Sequence, residues 1–302
     1  MTDVLPSLVV VTGPTAIGKT RLAIALAKTF STEIISCDSR QFYQELNIGV
    51  ARPSVAELGA IPHHMIGFLS VRDSYNAYRY ENDVLGLCRT LFQSTNRIVM
   101  AGGSGLYIYA VTHGIDELPD PDPTVRFELK EKLRTEGIEA LQLQLKKVDP
   151  AYFQVVDKDN PKRLLRALEV CLTTDRPYSS LRTGQPVQRF FRTIRIGLMT
   201  DREKLYERIN RRVDQMIENG LLDEVQSLLP YKDLNALNTV GYKELFAYLE
   251  GHYSFEDAVE KIKIHTRRYA KRQLTWFKKD PDIRWFEPED REGIMEYVDS
   301  IR

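Results

Sequence analysis

Residues 8–20 read LVVVTGPTAIGKT, an apolar, β-branched run that breaks into a glycine loop and ends in Lys19 and Thr20. Gly13, Pro14, Thr15, Ala16, Ile17, Gly18, Lys19 and Thr20 fill the pattern G-x-x-x-x-G-K-[ST], and residues 21–27 continue as a helix. The loop therefore has the strand before it and the helix after it that the pattern requires. Its two glycines let successive N–H groups converge on one concavity, into which the positive end of the following helix points. That concavity suits a phosphate chain. Lys19 adds a mobile charge for the outer phosphate, and the Thr20 hydroxyl is placed to ligate a magnesium ion carried by the phosphates. A diphosphate, a nucleoside triphosphate and a sulfated nucleotide all present similar oxygens, so the loop alone leaves the compound open.

The chain of 302 residues has material for one large domain or for a core with a smaller module. Lys and Arg total 42, as do Asp and Glu, so only the local distribution of charge can argue for nucleic acid. Cys37, Cys88 and Cys171 are widely spaced and lack a C-x-x-C pair. They read as small apolar fillers in a reducing compartment. The short N-terminal apolar run belongs to the first strand, with no basic region ahead of it, and no later stretch reaches membrane-spanning length; a cytoplasmic protein that meets no membrane is expected.

Residues 33–37 form a second strand candidate ending at Asp38. In an open parallel sheet ligands sit outside the carboxyl ends of the strands, so Asp38 projects toward whatever the loop holds, as a magnesium ligand, a base or the cap of a following helix. Residues 47–67 are rich in glycine and proline and read as a connection without regular structure. Within it His63 and His64 are adjacent, point apart and have no third ligand nearby, which favours a structural or ligand-orienting role over a metal site. A helix over 75–92 leads to a third strand at 97–101 and a second glycine loop, Gly102-Gly103-Ser104-Gly105. A Walker B strand would close on an aspartate; this one closes on Ala101 and glycines, which counts against a standard ATPase. Those glycines serve either a ligand's close approach or a tight turn.

The run Leu118-Pro119-Asp120-Pro121-Asp122-Pro123 breaks the pattern and opens a series of helices. One begins at Asn160 and Pro161, with Leu164, Leu165, Leu168 and Cys171 on one face and Lys162, Arg163 and Arg166 on the other. Residues 176–200 hold five arginines, no acid, and Phe190 and Phe191 between them, the pattern of a nucleic-acid-facing margin as well as of a solvated face. Residues 193–198 return to strand. The expected fold is therefore α/β: a P-loop NTPase-like parallel sheet flanked by helices, built from 1–118 and 191–302, with an all-helical module inserted at 119–190. Further on, Arg208, Arg211 and Arg212 lie off the apolar face of a helix, where an arginine can close over phosphates. Residues 261–279, KIKIHTRRYAKRQLTWFKK, carry eight Lys or Arg and no acid, with Tyr269, Trp276 and Phe277 among them. Basic residues on all sides with aromatics between them suit contacts to a phosphate backbone.

Taken together these motifs resemble one family, the bacterial tRNA dimethylallyltransferases, also called tRNA isopentenyltransferases. GPTAIGKT at 13–20, CDSRQFY at 37–43, PHH at 62–64, AGGSGLY at 101–107, NPKRLLRALEV at 160–170, RVDQMIENGLLDEV at 212–225, VGYKE at 240–244 and KRQLTWFK at 271–278 stand in family order over almost the whole chain. Ser104 stands where the family usually has threonine, and Asn238-Thr239 replace commoner residues. The zinc-finger extension of eukaryotic relatives is not expected. The resemblance implies transfer of a dimethylallyl group from dimethylallyl diphosphate to N6 of the adenosine 3′ of the anticodon, with release of diphosphate, by a monomer using Mg2+. It implies Asp38 as the base that takes the amino proton, with Lys19, Thr15 and Ser104 as its catalytic companions. The diphosphate falls to residues 13–20 and to Arg212, and the metal to Thr20. Contacts to the tRNA anticodon stem-loop fall to Asp38, Ser39, Arg40 and Gln41; to Ser104 and Arg126; to Lys162, Arg163, Leu164, Leu165 and Arg166; to Asn238, Thr239, Val240, Gly241, Tyr242 and Lys243; and to Lys271, Arg272, Gln273, Leu274, Thr275, Trp276, Phe277 and Lys278.

Three rivals share the loop: a small-molecule kinase, an adenylate isopentenyltransferase acting on free nucleotide, and an RNA-binding protein with a vestigial loop. The missing Walker B acid disfavours the first. The insertion and the basic aromatic helix disfavour the second, and an intact Lys19, Thr20 and Asp38 disfavour the third.

Overall fold

Six parallel strands make one sheet: β1 (Ser7–Thr12), β2 (Ile34–Cys37), β3 (His63–His64), β4 (Arg97–Gly102), β5 (Arg192–Leu198) and β6 (Arg284–Phe286), in the spatial order β3-β2-β4-β1-β5-β6. The computed structural model describes residues 5–120, 122–185 and 187–301, so Pro121, inside the expected break, lies outside the described residues. Every residue of β1 is buried, as a central parallel strand covered on both faces demands. Its side chains alternate. Val9 and Val11 pack with Leu22 and Leu26 of the Lys19–Phe30 helix, Leu205 and Ile209 of Arg202–Glu218, and Ile294 and Val298 of Arg291–Ser300. Leu8 and Val10 face the other way, onto Tyr80 and Val84 of Ala77–Leu91 and Ile108 and Val111 of Gly105–His113. A third cluster joins Val213, Val225, Tyr242, Leu245 and Ile262, where the helices Leu221–Ser227, Tyr242–Leu249 and Phe255–Phe277 meet.

The chain divides into two compact units, one of the residues up to His113 with those from Gln188 on, the other Gly114–Val187. The second is helical, its longer helices being Pro123–Glu136, Ile138–Val148 and Pro161–Thr174. Leu129, Leu141, Leu145, Leu164 and Leu168 form its own core. Inside it the buried Asp149 accepts from Tyr152 N, Ser179 N and the Ser179 hydroxyl, tying two short helices together. Among the described residues no helix is long and apolar enough to cross a membrane.

One expectation fails locally and a second is narrowed. Residues 47–67 are not devoid of regular structure: Val55–Ala60 is a helix, opened by a capping box between Ser54 and Glu57, and His63–His64 is the edge strand. The S-x-x-E signature of that helix stood in the sequence, but two residues of strand are too few to show alternation. Of the five arginines in 176–200, Arg176 and Arg182 are exposed and the other three are engaged within the fold. Arg189 is buried against Glu81, Arg195 pairs with Asp280 and Asp282, Arg192 donates to the Leu5 carbonyl, and Phe191 is core.

Candidate active site

The loop after β1 is bent as its glycines allow. Gly13 has φ +144° and lies so close to β5 that a Cβ there would meet the Leu198 carbonyl oxygen at 2.7 Å. Gly18, at φ +104°, opens the Lys19–Phe30 helix. Lys19 Nζ donates to the carbonyls of Gly13 and Pro14 at 3.1 and 2.8 Å, folding its charge back over the loop. The loop is also held from outside: Gln273 accepts from Thr15 N at 2.9 Å and donates to the Gly103 carbonyl at 2.9 Å. Ile17 is fully buried and anchors the loop in the core, and Pro14 is buried as well, so both can offer only backbone to a ligand.

A cavity of about 380 Å3 opens over this loop, lined by Thr15, Lys19, Thr20, Asp38, Arg208 and Arg212 among others. A smaller one, about 110 Å3, is walled by Val213, Met216, Val240, Gly241 and Tyr269. Thr15, Asp38, Val50, Ala51 and Arg212 line both, so the carboxylate and the guanidinium stand where the two spaces meet. Burial lowers the Lys19 pKa to about 8, against the pull of Asp38 and with help from Arg212. Burial likewise depresses Arg212, opposed by Asp38 and Glu57. One carboxylate thus shares the cavity with two half-buried cations.

No helix follows β2, which closes the helix-cap alternative for Asp38; its Oδ1 instead accepts from Arg40 N at 3.0 Å in a tight turn. That turn is pinned on three sides. Ser39 N donates to Ser104 Oγ at 3.0 Å, Arg40 donates to the carbonyls of Asn235 and Ala236, and Gln41 Nε2 donates to those of Val50 and Ala51. Gly102 is explained by packing, since a Cβ there would lie 1.9 Å from the Cys37 carbonyl oxygen. Glu224 clamps the 48–49 backbone, accepting from Ile48 N and Gly49 N at 2.7 and 3.1 Å and from the Tyr242 hydroxyl at 2.5 Å. Among the described residues no three Cys, His, Asp or Glu gather as a metal site. His64 pairs with Glu33, and His63 Nδ1 lies 2.8 Å from the Ile61 carbonyl.

The residues expected at an RNA surface sort by burial. Leu164, Tyr242, Gln273 and Phe277 have buried side chains and pack within the fold. Arg126 makes a two-pronged pair with the buried Glu169 at 2.6 and 3.0 Å, and Arg166 donates to the Pro119 carbonyl at 2.8 Å; both are engaged within the helical unit. Leu165, Leu274, Thr239 and Val240 are half-buried, and Gly241 is buried. Lys162, Arg163, Asn238, Lys243, Lys271, Arg272, Thr275, Trp276 and Lys278 are exposed. Nor is the basic helix basic on all sides: Lys263 pairs with Asp214 and Arg267 reaches Asn210 and Glu260, leaving its C-terminal turns as the open charged face. Glu57, Gln215 and Arg208 on the large cavity and Tyr269 on the small one were not singled out by motif. Only Arg208 and Tyr269 carried a signal, lying in an arginine cluster and among interleaved aromatics.

A doubly covered parallel sheet with a phosphate loop after its central strand, and a carboxylate and arginine at the junction of two cavities, defines a P-loop α/β enzyme acting on a phosphorylated compound. Over residues 41–280 the chain matches the family model described as IPP transferase. It is 49% identical to tRNA dimethylallyltransferase 1 of Bacteroides thetaiotaomicron, over 97% of this chain and 96% of the relative. It is 50% identical to tRNA dimethylallyltransferase of Christiangramia forsetii, over 97% of each. Among solved structures, the full-length tRNA isopentenylpyrophosphate transferase from Bacillus halodurans is similar with a TM-score of 0.71 and 34% identity, 98% of both chains being covered. The chain belongs to the IPP transferase family, and it is a prenyltransferase.

Proposed function

We propose that the protein transfers the dimethylallyl group of dimethylallyl diphosphate to N6 of the adenosine 3′-adjacent to the anticodon of tRNA, releasing diphosphate. The observation that carries this reading is the junction: Asp38 and Arg212 line both the phosphate cavity and the smaller space beside Tyr269. Diphosphate rests on the backbone N–H groups of the loop with Lys19 and Arg212 over its oxygens. As the bond between the allylic carbon and the diphosphate oxygen breaks, charge grows on that oxygen, and cations already fixed there stabilise it without reorganising. The adenine N6 lone pair, delocalised into the ring, forms the new C–N bond. Its proton passes to the Asp38 carboxylate, which keeps the nitrogen from carrying a full charge. Thr15 and Ser104 act by position, Thr15 next to Arg212 and Ser104 on the backbone of Ser39.

The residues present suit a magnesium ion carried by the substrate: Thr20, a hydroxyl residue, lines the phosphate cavity, and Mg2+ on phosphates asks for only one or two protein oxygens. Bound there it would supply further charge to the leaving diphosphate. For the RNA, the exposed Lys162, Arg163, Asn238, Lys243, Lys271, Arg272 and Lys278 are the side chains we assign to phosphate contacts, with the adenosine splayed from its loop into the small cavity. The reaction then belongs to the cytoplasm, where tRNA is, and a monomer carries every residue it uses. Incubation with dimethylallyl diphosphate and unmodified tRNA, followed by nucleoside analysis, is expected to give N6-dimethylallyl adenosine next to the anticodon. Product from free AMP and none from tRNA would return the reading to a free-nucleotide enzyme.

A further inference from the structure

A third cavity, about 440 Å3, opens in the core unit on the face of β1 that carries Val10, and it shares no lining residue with the two cavities of the active site. Ile108, Tyr109, Phe277 and Ile283 give it apolar walls. Thr12 also lines it, is 1% exposed, and its Oγ1 has no hydrogen-bond partner among the described residues. Of the buried side-chain polar atoms without a partner among the described residues, the Thr12 hydroxyl alone belongs to a residue lining this cavity, where a ligand can complete it.

The ligand's chemistry follows from the walls. Arg195 Nη2 lies 3.2 Å from His113 Nε2. A guanidinium only donates, so that nitrogen carries the lone pair; the ring proton sits on Nδ1, which donates to Thr112 Oγ1 at 2.8 Å. His113 is therefore a neutral ring, stacked on Tyr109 with centroids 4.4 Å apart and planes 13° from parallel. Around the rim Arg195 and Lys279 are balanced by Asp280 and Asp282, with Arg195 bonded to both acids. A space of this kind favours an uncharged, flat, ring-shaped guest whose edge can meet a hydroxyl. Tyr109 and Trp276 are 43% and 44% exposed at its mouth, and Trp276 belongs to the helix end where Lys271, Arg272, Lys278 and Lys279 are open to solvent. Cations beside exposed aromatics are what a single-stranded backbone and its bases require.

We infer that this cavity receives one further unpaired nucleobase of the RNA whose adenosine enters the active site, with Thr12 Oγ1 on the edge of that base. The inference rests on the proposed function. It is tested with an unmodified anticodon stem-loop RNA and a series in which each loop nucleotide in turn is abasic, binding being read by fluorescence anisotropy. Thr12→Val removes the hydroxyl and keeps the shape; it should bind the intact RNA about 3- to 10-fold more weakly than the parent. Ile108→Phe, which puts a larger side chain on the cavity wall, should also weaken binding of the intact RNA. For the one RNA lacking the base that occupies the cavity, parent and variants should bind alike. Variants that bind the intact RNA as the parent does, or that lose the same factor on every abasic RNA, overturn the pocket. A parent that fails to bind the intact stem-loop overturns the proposed function instead. Pyrophosphate binding, measured by calorimetry on each variant, reports an intact fold, and if Ile108→Phe fails that check the near-isosteric Thr12→Val decides alone.

Discussion

At the end of β2 one carboxylate, Asp38, lines the same cavity as Lys19 and Arg212, and its charge opposes the lowering that burial imposes on both cations. If Asp38 takes the amino proton in the transition state, Asp38→Ala should lower kcat by about 10²- to 10⁴-fold while RNA affinity changes little. Normal turnover in that variant would move the proton-acceptor role elsewhere. Lys19 sets a pH dependence. Burial lowers its pKa to about 8. The cationic form binds diphosphate, so affinity should hold below that value and fall as pH rises through it, by up to about tenfold per unit. Calorimetric titration with pyrophosphate between pH 7 and 9.5 checks this, and Lys19→Arg, which stays charged, should flatten the curve. Both residues were legible in the sequence because loop, strand end and chemistry are contiguous there. Glu57 and Gln215 were not, since nothing near them in the chain tells which side of a helix meets a cavity.

The Phe255–Phe277 helix carries two jobs on two sides. Outward it presents Lys271 and Arg272; inward its Gln273 bridges Thr15 of the phosphate loop to Gly103. Charge reversal of Lys271 and Arg272 to glutamate should weaken RNA binding and reduce the slope of log K against log salt by about 1.4 to 1.8, leaving pyrophosphate binding intact. An unchanged slope would remove both from the RNA surface. Gln273→Leu should do the opposite, weakening pyrophosphate about tenfold by freeing the loop while RNA affinity stays near the parent's. Calorimetry and anisotropy on the same preparations separate the two. From sequence the helix read as basic on all sides, because composition does not reveal which cations the fold satisfies; Lys263 and Arg267 are spent on Asp214, Asn210 and Glu260. The clamp of Glu224 on residues 48–49 was equally hidden, as it joins positions far apart in the chain.

At the scale of the molecule, two units each own a core, and their stabilities should be separable. Leu168 is fully buried in the helical unit, so Leu168→Ala should cost that unit about 2 to 5 kcal/mol. Hydrogen exchange should then quicken across Gly114–Val187 and leave β1 and β4 as protected as before; an equal loss everywhere would mean that the chain unfolds as one. The sheet was legible because β1, β2, β4 and β5 are short, largely apolar runs; β3 was not, being two histidines long. The phosphate cavity also bears on how a catalytic cycle ends. Lys19, Arg21, Arg208 and Arg212 line it against only Asp38 and Glu57. Once the prenyl group has gone, the departing anion keeps the cations that held it, so its release is expected to be slow. Accumulated diphosphate should then compete with substrate, and adding an inorganic pyrophosphatase to the assay should lift the late phase of the progress curve.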